Sequence, residues 1–330
     1  LIGNLFLNVH LLDGLKFTPR INLEYSMLKN SQFVPSVVIR DTESVAKNGV
    51  SKYNRSVVHW NSDYMLTYDK DFGGIHRISA LLGYSQEEYS SENLGGTRYE
   101  TPNNEIQYLN AGDASTSGNS NGISEWSFVS YIGRLNYSFK ERYLLQATVR
   151  RDGSSRFIEK NRWGVFPSYS AAWRISEEDF FEGIKPLVNQ LKLRASYGSL
   201  GNANISNYPS YATLSSSAYV LNEQIVPTYT LSSAVNRDIV WETTKKLDIG
   251  LEISLFDNKM DLEVGYYKSN TYDLLYGEPI PWSAGKTSNP TVNGGEVENK
   301  GLEINLGYRE VVGDFSYDVS VNFFRNKNKV

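Results

Sequence analysis

Three histidines, scattered carboxylates, one glycine-spaced segment and a set of loop aromatics are the groups in this chain of 330 residues whose types could do chemistry. His10, His59 and His76 stand far apart, with no H-x-x-x-H or carboxylate spacing that would gather them on a metal ion. The carboxylates of "EDFFE" and "GEVENKGLE" show no sign of the close pair across a cleft that glycoside hydrolysis needs, and solvated rim charges account for them. "SYGSLGN" spaces its glycines like a phosphate cradle, but neither the following helix nor the basic residue is there. With zero cysteines, thiolate zinc sites, disulfides and a Cys nucleophile are excluded. The expectation is no metal, no cofactor and no enzyme.

The aromatics remain. Tyr99, Trp126, Tyr219, Tyr229, Tyr276 and Trp282 lie in or beside long polar segments, where rings can stack on sugar faces while nearby Asn and Asp bond hydroxyls. As a group they are the candidate substrate-binding residues, although membrane-interface or loop-packing roles compete for each one. The net charge of -4 gives no electrostatic reason to expect nucleic acid.

The elements that must carry these rings are strands. Hydrophobic residues make up 40% of the chain and no apolar run approaches the length of a membrane helix, yet aromatics reach 13%, with 23 Tyr and 6 Trp. "KKLDIGLEISLF" at 245 to 256 alternates strictly: Leu247, Ile249, Leu251, Ile253 and Leu255 share one face, Lys246, Asp248, Gly250, Glu252 and Ser254 the other. "LKLRASYG", "GLEINLGYRE", "FVSYIGRLNYSF" and "KFTPRINLEY" repeat the pattern. About twelve such segments approach the 9 to 11 residues with which a tilted strand crosses a bilayer. Odd positions of 245 to 256 are expected to face lipid and even positions a water-filled lumen, where Glu252 would tolerate either sign of charge.

Tight turns at Asp13 and Gly14, Lys140 and Glu141, Asp257 and Asn258, and Gly313 and Asp314 alternate with long polar segments at about 28 to 55, 90 to 125, 200 to 238 and 274 to 296. The segments at 90 to 125, 200 to 238 and 274 to 296 are expected outside the cell. "SEEDFFEGIKPL" is expected to form a short helix capped by Ser176, with Phe180, Phe181, Ile184 and Leu187 on one face. In the stretch from Tyr143 to Trp173, Asp152 through Lys160 is read as the turn, with Trp163 and Trp173 at opposite ends of the returning strand.

The succession "RRDGSSRF", "NRWGVFPSYSAAWRISEEDFF", "LKLRASYGSLGN", "WETTKKLDIGLEISLF" and "NKGLEINL" resembles the SusC/RagA-type TonB-dependent transporters of Bacteroidota, nearly throughout the chain. The resemblance implies an all-β fold, an antiparallel transmembrane β-barrel of which residues 1–330 are one part. It implies an outer-membrane location and TonB-dependent import of oligosaccharides or peptides. The partners it implies are a SusD-like surface lipoprotein, TonB acting through a plug, the glycan or peptide substrate and outer-membrane lipid. No plug, TonB box or signal peptide is recognised, and "FFRNKNKV" differs from the usual terminal aromatic strand, so a fragment of the middle and later barrel is expected. Alternation alone also fits a passive porin-like barrel or a soluble or surface β-sandwich adhesin.

Overall fold

The computed structural model describes residues 1–40, 43–45, 47–231, 235–281, 283, 285 and 288–330. Its strands are β1 (Ile2–Phe6), β2 (Val9–Leu12), β3 (Leu15–Val34), β4 (Val37–Arg40), β5 (Glu43–Val45), β6 (Gly49–Phe72), β7 (His76–Tyr99), β8 (Gly118–Phe139), β9 (Tyr143–Ser154), β10 (Trp163–Arg174), β11 (Val188–Asn202), β12 (Leu214–Leu221), β13 (Gln224–Leu231), β14 (Glu242–Leu255), β15 (Met260–Tyr272), β16 (Leu275–Gly277), β17 (Thr291–Asn293), β18 (Glu296–Val312) and β19 (Phe315–Lys329). One sheet runs in the order β1-β3-β6-β7-β8-β9-β10-β11-β14-β15-β18-β19, with β2 also on β3. Neighbours in the sheet follow one another along the chain once the small hairpins β4–β5, β12–β13 and β16–β17 are set aside. This meander needs only local connections, which the predicted tight turns supply. Lys140 and Glu141 both take positive φ (51° and 54°), as do Asp257 and Asn258 (56° and 61°). That backbone suits a hairpin reversing without splaying its strands.

The described chain divides into two compact units, one of residues 1–7, 19–63 and 86–128, the other of 8–18, 64–85 and 129–330. In the second, the register shows what alternation achieves. Trp173, Leu193, Leu251, Val264, Ile304 and Phe323 stand opposite one another across six strands, and the next row is Ala171, Ala195, Ile249, Tyr266, Leu302 and Arg325. Between these rows, on the other face, lie Ala172, Arg194, Gly250, Gly265, Glu303 and Phe324. The apolar rows are not buried by protein: Leu145 is 52% exposed and Phe323 53%. Few apolar side chains are buried, among them Phe157, Phe166, Phe181, Ile239 and Trp241. Lipid, and not a protein core, is the partner these rows require.

Aromatics mark both limits of the apolar band. Tyr64, Tyr84, Tyr131 and Trp163 follow one another at ring separations of 6.1, 5.4 and 6.0 Å. The Arg151 guanidinium lies 4.4 Å from the Trp163 ring. Near the tight turns, His76, Phe139, Tyr143 and Trp173 form a second row at 5.1, 6.2 and 6.4 Å. The strand from Trp163 to Trp173 spans about 33 Å at about 3.3 Å per residue. At a tilt of about 40° this is about 25 Å along the membrane normal, the height of an outer-membrane apolar band.

Three sequence expectations change. β7 continues to Tyr99 and β8 begins at Gly118, so the loop expected over 90 to 125 shrinks to 100–117, and strands likewise claim 28–34 and 49–55. These strand ends are polar on both faces, which erases the alternation that would have revealed them. β9 runs on to Ser154, beyond the expected turn start at Asp152. "SEEDFFEGIKPL" is not one helix. Two 3-10 turns, Ile175–Glu177 and Asp179–Phe181, flank Glu178 at φ -81°, ψ 146°, an extended conformation that breaks a helix. Phe181 is buried, Phe180 is 69% exposed, and the expected cap Ser176 Oγ has no hydrogen-bond partner among the described residues.

Glu178 is held extended by three donors: the Tyr143 hydroxyl at 2.6 Å, the Trp173 indole at 2.9 Å and Arg142 at 3.1 Å. The Tyr143 hydrogen bond, then those of Trp173 and Arg142, hold its carboxyl below the usual carboxylate range. A depressed folded pKa contributes stability above the unfolded value and loses it as pH falls. Resistance of the full-length protein to urea unfolding should therefore fall as pH drops below about 4.5, and Glu178→Gln should flatten that acid limb.

The rows predict a second result. Leu251→Arg in the full-length protein should lose about 2 to 4 kcal/mol near the bilayer midplane. Glu303→Arg, exposed on the opposite face, should form a heat-modifiable barrel close to wild type. Greater damage from Glu303→Arg than from Leu251→Arg would reverse the assigned faces.

Candidate functional site

The face opposite the apolar rows is built for water. On β9, Gln146, Thr148 and Arg150 oppose Ser170, Ser168 and Phe166 of β10, and Ser170 and Ser168 in turn oppose Ser196 and Gly198 of β11. Short hydroxyl side chains keep this wall low and supply donors and acceptors to a passing solute.

Near its centre the wall carries an ion network around Arg194. The guanidinium donates to Asp248, to Glu263 at 2.7 Å and to Glu252 at 3.1 Å, and Lys192 reaches Glu252 at 3.0 Å. Glycine makes the arrangement possible. Arg194 stands opposite Gly250, which pairs with Gly265, so the guanidinium lies across bare backbone. A Cβ at Gly250 would meet its Cζ at 2.6 Å. Glu252 is thus not the permissive position expected from alternation, because reversing its charge would set it against Arg194 and Lys192.

Toward the longer loops, the wall carries an aromatic cluster. Phe166 sits over Gly164 and Gly201, where a Cβ would meet its ring at 2.4 and 2.0 Å. Trp241 lies 5.5 Å from Phe166 and 5.0 Å from Phe157. The turn 155–162 grips both feet of the excursion 203–241. Arg156 donates to Asn207 at 3.0 Å and to the Ala203 carbonyl at 3.1 Å. At the other foot, Lys160 pairs with Asp238 at 2.6 Å, Asn161 donates to the Ile239 carbonyl at 3.0 Å, and the Trp241 indole donates to the Arg162 carbonyl at 3.3 Å. The Lys160 ammonium holds the Asp238 carboxyl below the usual range.

The predicted ring residues occupy separate places. Trp126 stands within β8 of the first unit, stacked on Tyr89 at 5.7 Å and 10° and lying 5.9 Å from His59, which bonds Glu87 at 2.7 Å. Tyr99 ends β7 of the same unit and packs against Gly49. Tyr219 and Tyr229 are exposed on the β12–β13 hairpin. Their opposites are Val226 and Ser216, which puts them on different faces of it. Tyr276 is on β16, its hydroxyl close to Gly294. Trp282 lies outside the described residues. The Arg194 network and the Phe166 cluster escaped sequence reasoning; the signals were a glycine repeated at matching positions of paired strands and a Phe on the polar parity of β10.

Among the described residues, no group of three His, Cys, Asp or Glu side chains is placed to hold a metal ion. Asp248, Glu252 and Glu263 are all engaged by cations. The arrangement offers hydrogen-bonding groups and paired charges, the chemistry that suits contact with polar solutes.

Residues 3–329 match the TonB dependent receptor-like β-barrel family. The chain belongs to that family. The family's outer-membrane location applies to it, and the soluble sandwich reading is set aside. TonB-dependent receptor P3 of Formosa agariphila is 35% identical over 99% of this chain and 32% of its own length. SusC of Bacteroides thetaiotaomicron is 37% identical over 62% of this chain and 21% of its own. The RagAB peptide transporter shares the fold, with a TM-score of 0.89 at 24% identity over 99% of this chain and 36% of that one. This SusC-like chain therefore spans about a third or less of the relatives it matches.

Arg194→Met should lower the stability of the full-length barrel by about 1 to 2 kcal/mol, a buried-pair loss reduced by partial exposure. Arg194→Lys should not restore it, since an ammonium lacks the planar fork. Urea midpoints of the heat-modifiable form measure both.

Proposed function

We propose that residues 1–330 are part of the wall of a SusC-like importer that carries oligosaccharides or peptides across the outer membrane. The substrate is received with a SusD-like surface lipoprotein, and TonB drives passage through a plug elsewhere in the protein. The carrying observation is the division of β10, β11, β14 and β15 across their middle rows into an apolar side and a side of hydroxyl, amide and mutually paired charged groups. Such a side offers many weak, exchangeable hydrogen bonds to a hydrophilic oligomer and holds none of it tightly. Tyr99, Trp126, Tyr219, Tyr229, Tyr276 and Trp282 serve as a dispersed set of recognition rings, a role that RagAB, named as a peptide transporter, leaves open between peptide and glycan.

The test is uptake of labelled oligosaccharides and peptides by cells with and without the full-length gene. Uptake should depend on the gene and stop when the proton-motive force is collapsed. Gene-dependent entry that persists without it would identify a passive channel instead.

A further inference from the structure

The membrane-facing side of the last strands carries a charge pattern that transport does not use. Following the apolar rows toward the long loops, the next row reads Leu247, Lys268, Lys300 and Lys327 on β14, β15, β18 and β19, and the one beyond it Lys245, Asn270, Glu298 and Lys329. Arg325 closes the row below, opposite Leu302. Cations thus outnumber carboxylates in three successive rows and dominate the middle one, with Glu298 the one carboxylate among them. On β15, β18 and β19 the opposite face at these levels holds Gly265, Glu303 and Phe324, then Tyr267, Gly301 and Asn326, then Ser269, Asn299 and Asn328. Water on both sides would give no reason for this segregation.

The pattern is also unfavourable as it stands. Lys268 faces Lys300, and Lys300 faces Lys327, and like charges directly opposite in a sheet destabilise it. Glu298 relieves part of this, reaching Lys268 at 2.8 Å and Lys300 at 2.9 Å. Lys268 and Lys300 thus share a single carboxylate, with Lys327 opposite Lys300 adding to the repulsion. An external anion would offset the excess positive charge of this row.

Depth says where that anion resides. The apolar face of β14 runs from Leu255 to Leu247, about 26 Å of strand and about 20 Å along the normal at the usual tilt. The lysines begin level with its outer end, at the edge of an apolar band about 25 Å tall. Lys245, 5.3 Å from the Tyr272 ring, shares the interfacial setting of the outer aromatic row. Long ammonium stems reach from there to headgroup level.

We infer that Lys268, Lys300 and Lys327, with Lys245, Arg325 and Lys329 around them, form a binding site for a phosphorylated lipid headgroup of the outer leaflet. The phosphates bridge lysines that repel one another, so lipid binding and strand pairing reinforce each other.

The test uses the full-length protein extracted in mild detergent and challenged with bis-phosphorylated lipid A, the same lipid A after phosphatase treatment, and millimolar inorganic phosphate. Native mass spectrometry should show phosphorylated lipid A retained on wild type and at least tenfold less on the Lys268→Gln, Lys300→Gln, Lys327→Gln variant. Lys140→Gln with Lys185→Gln, which removes charge at the tight-turn end, should retain it fully. Should the triple variant not reach the membrane, Lys300→Gln alone should lose at least threefold. Undiminished retention by the lysine variants, or equal binding of dephosphorylated lipid A, overturns the site. Full displacement by inorganic phosphate overturns it too, since it would mark a free-anion site.

Discussion

In hydrocarbon, a peptide group without a hydrogen-bond partner costs several kcal/mol, so each strand must pair along its whole membrane length with both neighbours. Pairing fixes register, and register with a two-residue repeat sends each side chain to lipid or to water. Every feature of the second unit descends from that sorting. Leu251 and Arg194 are adjacent in the ladder by one rung, since Leu193 opposes Leu251 and Arg194 opposes Gly250, yet one meets acyl chains and the other three carboxylates.

This sorting explains what could be read from sequence. β14 was legible residue by residue because one face is uniformly apolar, and the turns at Lys140 and Asp257 because polar pairs interrupt alternating runs. Legibility ended where one of those conditions failed. The ends of β6, β7 and β8 are wet on both sides, so their pairing leaves no hydrophobic trace. "SEEDFFEG" has helical spacing of apolar residues, but Tyr143, Trp173 and Arg142, distant in sequence, draw Glu178 out of helical geometry. Of the predicted rings, sequence placed Trp126 beside a loop, and the structure set it inside β8 against Tyr89. Aromatic content alone cannot separate a ring that anchors a strand from one that meets a solute.

The richness in aromatics divides into distinct duties. Trp163 and Trp173 belong to rows that mark where lipid gives way to water, at the two ends of one strand. Phe166 has the opposite parity and is buried with Trp241 and Phe157, closing the base of the loops. Glycine supports both the charged and the aromatic parts of the polar wall: Gly250 admits the Arg194 guanidinium and Gly201 the Phe166 ring, each occupying the space a Cβ would take. Large groups can then lie flat on the wall and leave the passage open.

The grip of the turn 155–162 on both feet of the 203–241 excursion separates inheritance from invention. Because the feet are held close together whatever lies between them, a change in the length or sequence of the β12–β13 hairpin alters loop entropy only slowly and leaves the strands below untouched. The tip is a replaceable cartridge on a fixed socket. A lineage can rewrite that hairpin without renegotiating the place of the strands below it in the membrane.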